Sequence, residues 1–369
     1  MESNKSLTIL HTESSHGWGG QEIRVLTESR ELIRNGYSVI LAADPVSPIF
    51  KRAHLYEVPV YSVRLRKKRL TEVLHMYRAL EALKPSVVSC HSSTDHWVVA
   101  ICRLFCKFEF RIVRTRHVSA PIHRNLSTRW LYNRGADFIM TTGESIRQEA
   151  IKDGFLPSNR IRSVPTGIPL EHYVRSDELG VRSTLGIEEN TFLFGNVATL
   201  RSWKGHQFLL EAFAQLPKDS NCKLLIVGDG PMRDSLVQKA VELKIADFVI
   251  FAGHHQDVTS FFNCMDCFVF PSYANEGIPQ AILQAVAYGL PIITTDAGSI
   301  SEAVSELDNK VMVRKKDVNT LKNAMMSAIQ RKPPLNFTTP SRSLLEKISI
   351  ETMTEQVVSV YISVTRNIK

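Results

Sequence analysis

Nothing in this sequence of 369 residues approaches the ~20 consecutive apolar residues that a membrane-spanning helix requires. Met1–Gly17 carries one lysine and only a short apolar run before polar residues return, so no secretory leader is expected and a cytoplasmic protein is. The spaced glycines of a dinucleotide fingerprint are missing: the first glycine cluster reads Gly17-Trp18-Gly19-Gly20. Also missing is the second half of a zinc site. Cys264 and Cys267 stand two residues apart, with no further close Cys or Cys/His pair nearby. Cys102 and Cys106 have the spacing of one helical turn on an apolar face. All six thiols are expected to be packing residues, with no structural metal and no disulfide. Solenoid repeats and low-complexity tracts are absent as well.

What is present is apolar material for two cores. Hydrophobic residues make up 44% and charged residues 22%, as in ordinary globular domains, and the length exceeds that of one open α/β domain. Leu7–His11 reads as a buried strand. It leads through the glycine loop into an amphipathic helix carrying Ile23, Leu26, Leu32 and Ile33, and Gly36 ends that helix before a second strand, Tyr37–Ala42. This strand–loop–helix–strand unit builds parallel sheets. The alternation continues through strands at Val58–Val63, Val87–His91, Arg111–Arg116 and Ala136–Thr141, with helices at Thr71–Leu83, around Trp97–Phe105 and from Glu144. It breaks over Thr166–Thr191, the expected linker. It restarts with strands at Phe192–Val197, Lys223–Val227, Val249–Phe251, Cys267–Phe270 and Pro291–Thr295, and helices at Gly205–Gln215 and Met232–Leu243. The expectation is two doubly wound α/β domains, 1–167 and 168–348, facing a cleft at the carboxyl ends of their strands. A last helix near Ser349–Val364, within 349–369, is expected to cross back to the first domain.

Charge divides unevenly between the halves. Residues 1–167 hold 25 Lys and Arg against 15 Asp and Glu, while residues 168–369 hold 20 against 22. Five cations fall within Arg64–Arg69, and Arg103, Lys107, Arg111, Arg124, Arg129 and Arg134 follow. Single charges are solvated faces; a domain of net charge +10 beside one of −2 predicts an anionic partner. An anionic membrane surface fits, at about 1 kcal/mol per cation near the leaflet. Nucleic acid fits less well, for no recognition motif or aromatic platform accompanies the charge.

Three loops carry chemistry. Gly19 and Gly20 open a helix whose free amides suit an anion, although for the pair taken alone a plain tight turn is the better reading. Arg201 and Lys204 follow a strand and can face phosphates at its carboxyl end, against the bland reading of a solvated pair. In Pro271–Ala285, Glu276 can accept sugar hydroxyls and Gln284 can bond a ribose, against the alternative of an acid favoured by a helix N-terminus. His117 ends the strand Arg111–Arg116, beside Arg114 and Arg116.

Together these segments resemble the family 4 glycosyltransferases of GT-B architecture. The second half carries the likeness most densely: Asn196–Gly205, Ile226–Pro231, Phe251–His254 with Asp257, Phe270–Ser272, Glu276–Pro279 and Gly289–Gly298. In the first half it rests on Gly19–Glu22, His117 and Thr166–Pro169. The resemblance implies retaining transfer from a UDP- or GDP-linked sugar, with no cofactor and no metal, to a glycan or lipid-linked acceptor of cell-surface polysaccharide or lipopolysaccharide synthesis. The enzyme would lie on the inner face of the cytoplasmic membrane. Arg201 and Lys204 would hold the diphosphate, Glu276 and His117 would meet the sugar, and Gly19, Gly20, Gly277 and Ile278 would approach diphosphate or sugar. Gly228, Gly253 and His254 belong to the donor set, the segment around Val249–His254 meeting the base. Gln284 departs from the family's second glutamate; it is neutral but still able to bond ribose. Other readings remain at this point: a nucleotide-sugar epimerase, a glycoside phosphorylase, or a non-catalytic nucleotide-sugar-binding partner of another transferase.

Overall fold

The computed structural model describes residues 7–173, 180–274, 276–330 and 338–366. Residues 174–179 of the expected linker, and Asn275 in the third loop, lie outside the described residues. The chain divides into two compact units. Unit 1 comprises Met1–Gly167 and Ile348–Lys369, and unit 2 comprises Ile168–Lys347.

Unit 1 is built on seven strands: β1 (Thr8–Glu13), β2 (Ser38–Ala43), β3 (Val60–Ser62), β4 (Val87–Cys90), β5 (Arg111–Arg116), β6 (Phe138–Thr141) and β7 (Ile161–Ser163). They pair in parallel in the order 3-2-1-4-5-6-7. Alternation along each strand feeds two cores. Ile9, Val39, Val87 and Val113 face one side and pack with Ile350, Val357, Val360 and Tyr361 of the helix Ile350–Thr365. Leu10, Ala42, Val88 and Ile112 face the other side, against Met76, Leu80, Val98 and Val99. Ser349 starts the last helix by accepting the Thr352 N–H at 3.1 Å. That helix therefore completes the first sheet although the whole of unit 2 precedes it in sequence.

Unit 2 has six parallel strands: β8 (Phe192–Val197), β9 (Cys222–Val227), β10 (Val249–Gly253), β11 (Cys267–Phe270), β12 (Ile292–Thr294) and β13 (Lys310–Met312). Their order, 10-9-8-11-12-13, repeats the plan of unit 1 without its seventh strand. Phe194, Leu224, Ile226, Val269 and Ile293 pack against Leu209, Leu210, Phe213, Leu321 and Met325. The expected linker holds a single turn of 3-10 helix, Leu170–His172, and a short helix, Gly180–Thr184.

In both sheets the chain reverses its lateral direction beside the first strand, between β1 and β4 and between β8 and β11. Loops leaving neighbouring strands in opposite directions open a crevice there, which is where doubly wound sheets bind ligands. All six cysteines are free thiols. Cys106 lies just beyond the helix Ser93–Arg103 that carries Cys102, but its N–H donates to the Cys102 carbonyl at 3.1 Å and both thiols pack on the same apolar cluster.

Candidate functional site

The crevice of unit 2 holds three of the four expected catalytic residues. Arg201 and Lys204 lie on the loop after β8, and Glu276 lies on the loop after β11. Two glycines let neighbouring loops close on the one after β11: Gly205 from the loop after β8 and Gly298 from the loop after β12. Gly205 has φ +77°, and a Cβ there would come within 2.1 Å of the Pro271 carbonyl; at Gly298, with φ +58°, a Cβ would come within 1.9 Å of the Glu276 carbonyl. Lys204 is thereby held against Glu276, Nζ to Oε1 at 2.7 Å. Ser272 Oγ lies 2.6 Å from the same carboxylate oxygen and 2.9 Å from the Trp203 carbonyl, its one proton shared between them. The Glu276 side chain is 6% exposed and that of Lys204 17%, so the pair is poorly screened. Lys204 Nζ also stands 5.1 Å from the Phe270 ring centroid.

Arg201 is not part of that pair. It is exposed, with its guanidinium 5.3 Å from the Trp203 ring centroid. Among the described residues no hydrogen bond or ion pair engages it. Glu276 does not sit in the first turn of the following helix, Gln280–Ala287, whose N-cap is Pro279, so the alternative of an acid fixed by the helix dipole does not describe it.

Gly277 and Ile278 are buried beside Glu276. Gln284 lies in the helix and donates from Nε2 to the Tyr173 hydroxyl at 2.9 Å; Tyr173 in turn meets the edge of Tyr288 at 6.1 Å. Gly228 N–H donates to the Gly253 carbonyl at 2.8 Å, joining two expected donor residues across the ends of β9 and β10. His254 follows, exposed.

Unit 1 keeps Gly19, Gly20 and His117. Gly19 caps the helix Gly20–Arg34, and a Cβ at Gly20 would meet nothing within 4 Å, so the helix entrance is open on that side. The crevice between β1 and β4 carries polar groups that sequence reasoning missed. Glu13, fully buried at the end of β1, accepts the Ser15 N–H at 2.7 Å, Gln21 Nε2 at 2.6 Å and the Ser92 hydroxyl. Asp95 accepts Thr12 Oγ1 and the His91 and Ser92 amides, each at 2.9 Å. Burial and the Glu13 charge push the Glu22 carboxyl up. His117 is bonded through Nε2 to His91 Nδ1 at 3.0 Å, and His91 Nε2 to His11 Nδ1 at 2.8 Å. Burial holds all three rings neutral: His11 is pushed down to about 3, and His91 and His117 lie well below the ordinary histidine range. The flanking arginines are anchors. Arg114 donates to the Cys90 carbonyl at 3.1 Å and Arg116 to the Tyr132 hydroxyl at 2.8 Å.

Comparison with known proteins decides the family. The profile of Glycosyltransferase Family 4 matches residues 18–172, and that of Glycosyl transferases group 1 matches residues 181–339. The chain belongs to the group 1, family 4 glycosyltransferases. This glycosyltransferase is 23% identical to an uncharacterised glycosyltransferase of Methanocaldococcus jannaschii, over 82% of this chain and 83% of that one. It is also 23% identical, over 70% of each chain, to the UDP-Gal:alpha-D-GlcNAc-diphosphoundecaprenol alpha-1,3-galactosyltransferase of Escherichia coli. Its fold matches that of Anabaena HepE, solved with UDP and glucose, at a TM-score of 0.85 and 19% identity, covering 97% of this chain and 100% of that one. The architecture is GT-B, and the glycosyltransferase uses nucleotide-sugar donors. Sequence reasoning passed over Glu13, His91 and Asp95, whose shared signal is position: Glu13 ends β1, His91 directly follows β4, and Asp95 lies in the first turn of the helix Ser93–Arg103 that comes next.

Proposed function

We propose that this enzyme transfers a sugar from a UDP-linked donor to a glycan or lipid-linked acceptor of cell-surface polysaccharide synthesis, at an anionic membrane surface, with retention of configuration and without a metal. The observation that carries the donor half is the Lys204–Glu276 pair in the crevice of unit 2, with Arg201 exposed beside it. Glu276, its charge offset by Lys204, accepts hydroxyl protons of the sugar. Lys204 and Arg201 meet the diphosphate. As the bond from the sugar carbon to the diphosphate oxygen breaks, the leaving nucleotide gains negative charge, and the two cations stabilise that charge more than they stabilise the ground state. Arg201 suits this role because its guanidinium has no hydrogen bond or ion pair among the described residues to give up. Gly277 and Ile278 offer backbone amides, Gln284 a ribose contact, and Gly228, Gly253 and His254 border the base. Gly19, Gly20 and His117 are assigned to the sugar and diphosphate from unit 1. The UDP choice leans on HepE, solved with UDP, and on the E. coli galactosyltransferase named for UDP-Gal.

The acceptor half leans on one surface of unit 1. Leu70 is 83% exposed at the end of the basic run Arg64–Arg69, and Leu126 is 84% exposed between Arg124 and Arg129. Aromatic rings join the two: Lys68 lies 5.3 Å from the Trp97 ring centroid, and Trp97 stacks on Trp130 at 5.8 Å. Cations, tryptophans and bare leucines on one face match the headgroup boundary of an anionic bilayer. No helix among the described residues is long and apolar enough to cross a membrane.

A panel of nucleotide-sugars read by thermal shift tests the donor, because a ligand of the native state raises Tm. UDP-sugars are expected to raise it, with product formed unchanged in EDTA; no shift with any of them contradicts the donor reading. Flotation with anionic and neutral liposomes at low salt tests the surface. Preferential recovery with anionic vesicles is expected, and equal recovery contradicts it.

A further inference from the structure

His11, His91 and His117 come from the ends of three adjacent strands, β1, β4 and β5, and form one hydrogen-bonded column. Successive ring centroids are 5.1 and 5.2 Å apart. A neutral imidazole has one N–H and one lone pair, so two links through three rings force all the protons to point the same way. Either every ring is protonated at Nδ1, with the donors running from His11 toward His117, or every ring is protonated at Nε2 and they run back. The inner end separates the two states. His11 Nε2 is buried without a partner, whereas His117 Nδ1 is not enclosed in that way. The second state would leave an N–H at His11 Nε2 with nothing to receive it, and orphaned buried donors are rarer than orphaned acceptors.

We propose that His11 and His91 are positioning residues that hold His117 in its Nδ1–H form, so that the ring offers a hydrogen-bond donor to an oxygen of the donor sugar. The proposal rests on the reading of His117 as a sugar-facing residue. The column turns an ambivalent ring into one with a fixed polarity: it gives a proton to an oxygen lone pair and accepts nothing. A sugar lacking the matching oxygen leaves the Nδ1–H unpaired, which makes the column a discriminator among donors as well.

Long-range 1H–15N correlation spectra of the full chain, labelled at histidine, read the tautomer directly. His117 is expected to be protonated at Nδ1 and bare at Nε2. His91→Leu breaks the column; it should mix the tautomers of His117 and lower kcat by about three- to tenfold, following the lost fraction of competent form. His91→Gln keeps an N–H able to reach His117 and should restore most of both. A wild-type His117 protonated at Nε2 overturns the proposal, as does a His91→Leu protein with unchanged tautomer and kcat. If His91→Leu fails to fold, His11→Phe, read the same way, takes its place. His117→Ala separates the underlying reading: full turnover there removes the sugar-facing role, and the proposal with it. An impaired His117→Ala beside an Nε2–H wild type removes the column alone.

Discussion

The two units share a strand plan and differ in what fills the crevice beside the first strand. In unit 1 the crevice groups are largely engaged with each other: Glu13 with Gln21 and Ser92, Asp95 with Thr12 and two amides, and three imidazoles in a line. In unit 2 a salt link joins the loops after β8 and β11, and the exposed Arg201 guanidinium on the first of them has only the Trp203 ring against it among the described residues. Topology supplies a place for a ligand in both. The loop residues decide what each place offers: a lysine–glutamate link with an exposed arginine on the same loop in unit 2, and a network of bonded carboxylates and neutral imidazoles in unit 1.

The largest effect that can break this contrast is expected in unit 2. Lys204→Ala should lower turnover by roughly 10²–10³-fold, as for loss of one donor to a developing oxyanion, and should also lower Tm, because Glu276 is left buried and uncompensated. Steady-state rates with calorimetry check both; an unchanged rate removes Lys204 from the mechanism. Arg201→Ala sharpens the comparison. It should cost turnover on a similar scale while changing Tm little, since among the described residues its exposed guanidinium meets only the Trp203 ring.

An intermediate effect separates the units by pH. Burial keeps His11, His91, His96 and His117 of unit 1 neutral, but only His206 of unit 2. Each has its native pKa below the unfolded value of 6.5, so the unfolded chain binds more protons below that pH. Their contribution to stability is present above about pH 6.5 and is lost as pH falls toward the native values. Asp95, pushed up to about 7 by burial, and Glu22 and Glu28, also pushed up, act in the opposite sense. The four imidazoles outnumber them, so amide exchange at pH 5.5 and 7.5 should show unit 1 losing protection first on acidification. Equal losses in the two units contradict the neutral column. The smallest effect is expected for Gln284→Glu. The Tyr173 hydroxyl can donate to a carboxylate as readily as it accepts from an amide, so KM for the donor should change by less than about tenfold.

Much of this was legible in the sequence because apolar runs in parallel sheets are nearly continuous. The strands that lead to Glu13, His91, His117 and the loop of Arg201 were placed by that signal, and the glycines at 205 and 298 sat within recognisable motifs. β13 and the helix Val318–Gln330 escaped. The strand has three residues and one of them, Met312, is exposed; the helix buries Leu321 and Met325 mixed with the small side chains Ala324 and Ala328, which mute the pattern. The Lys204–Glu276 link was anticipated only as two residues meeting one ligand, since spacing along a chain does not report distances between loops. The imidazole column was invisible for a related reason: His11, His91 and His117 are brought together by the strand order β1-β4-β5, not by any local motif.

Calorimetric titration of UDP into the wild type and into Arg201→Ala addresses the donor site most directly. A charge-assisted contact to phosphate predicts a Kd raised about ten- to a hundredfold in the variant, with heat of unfolding and Tm unaltered. Equal affinity of the two proteins for UDP would mean that the diphosphate sits elsewhere.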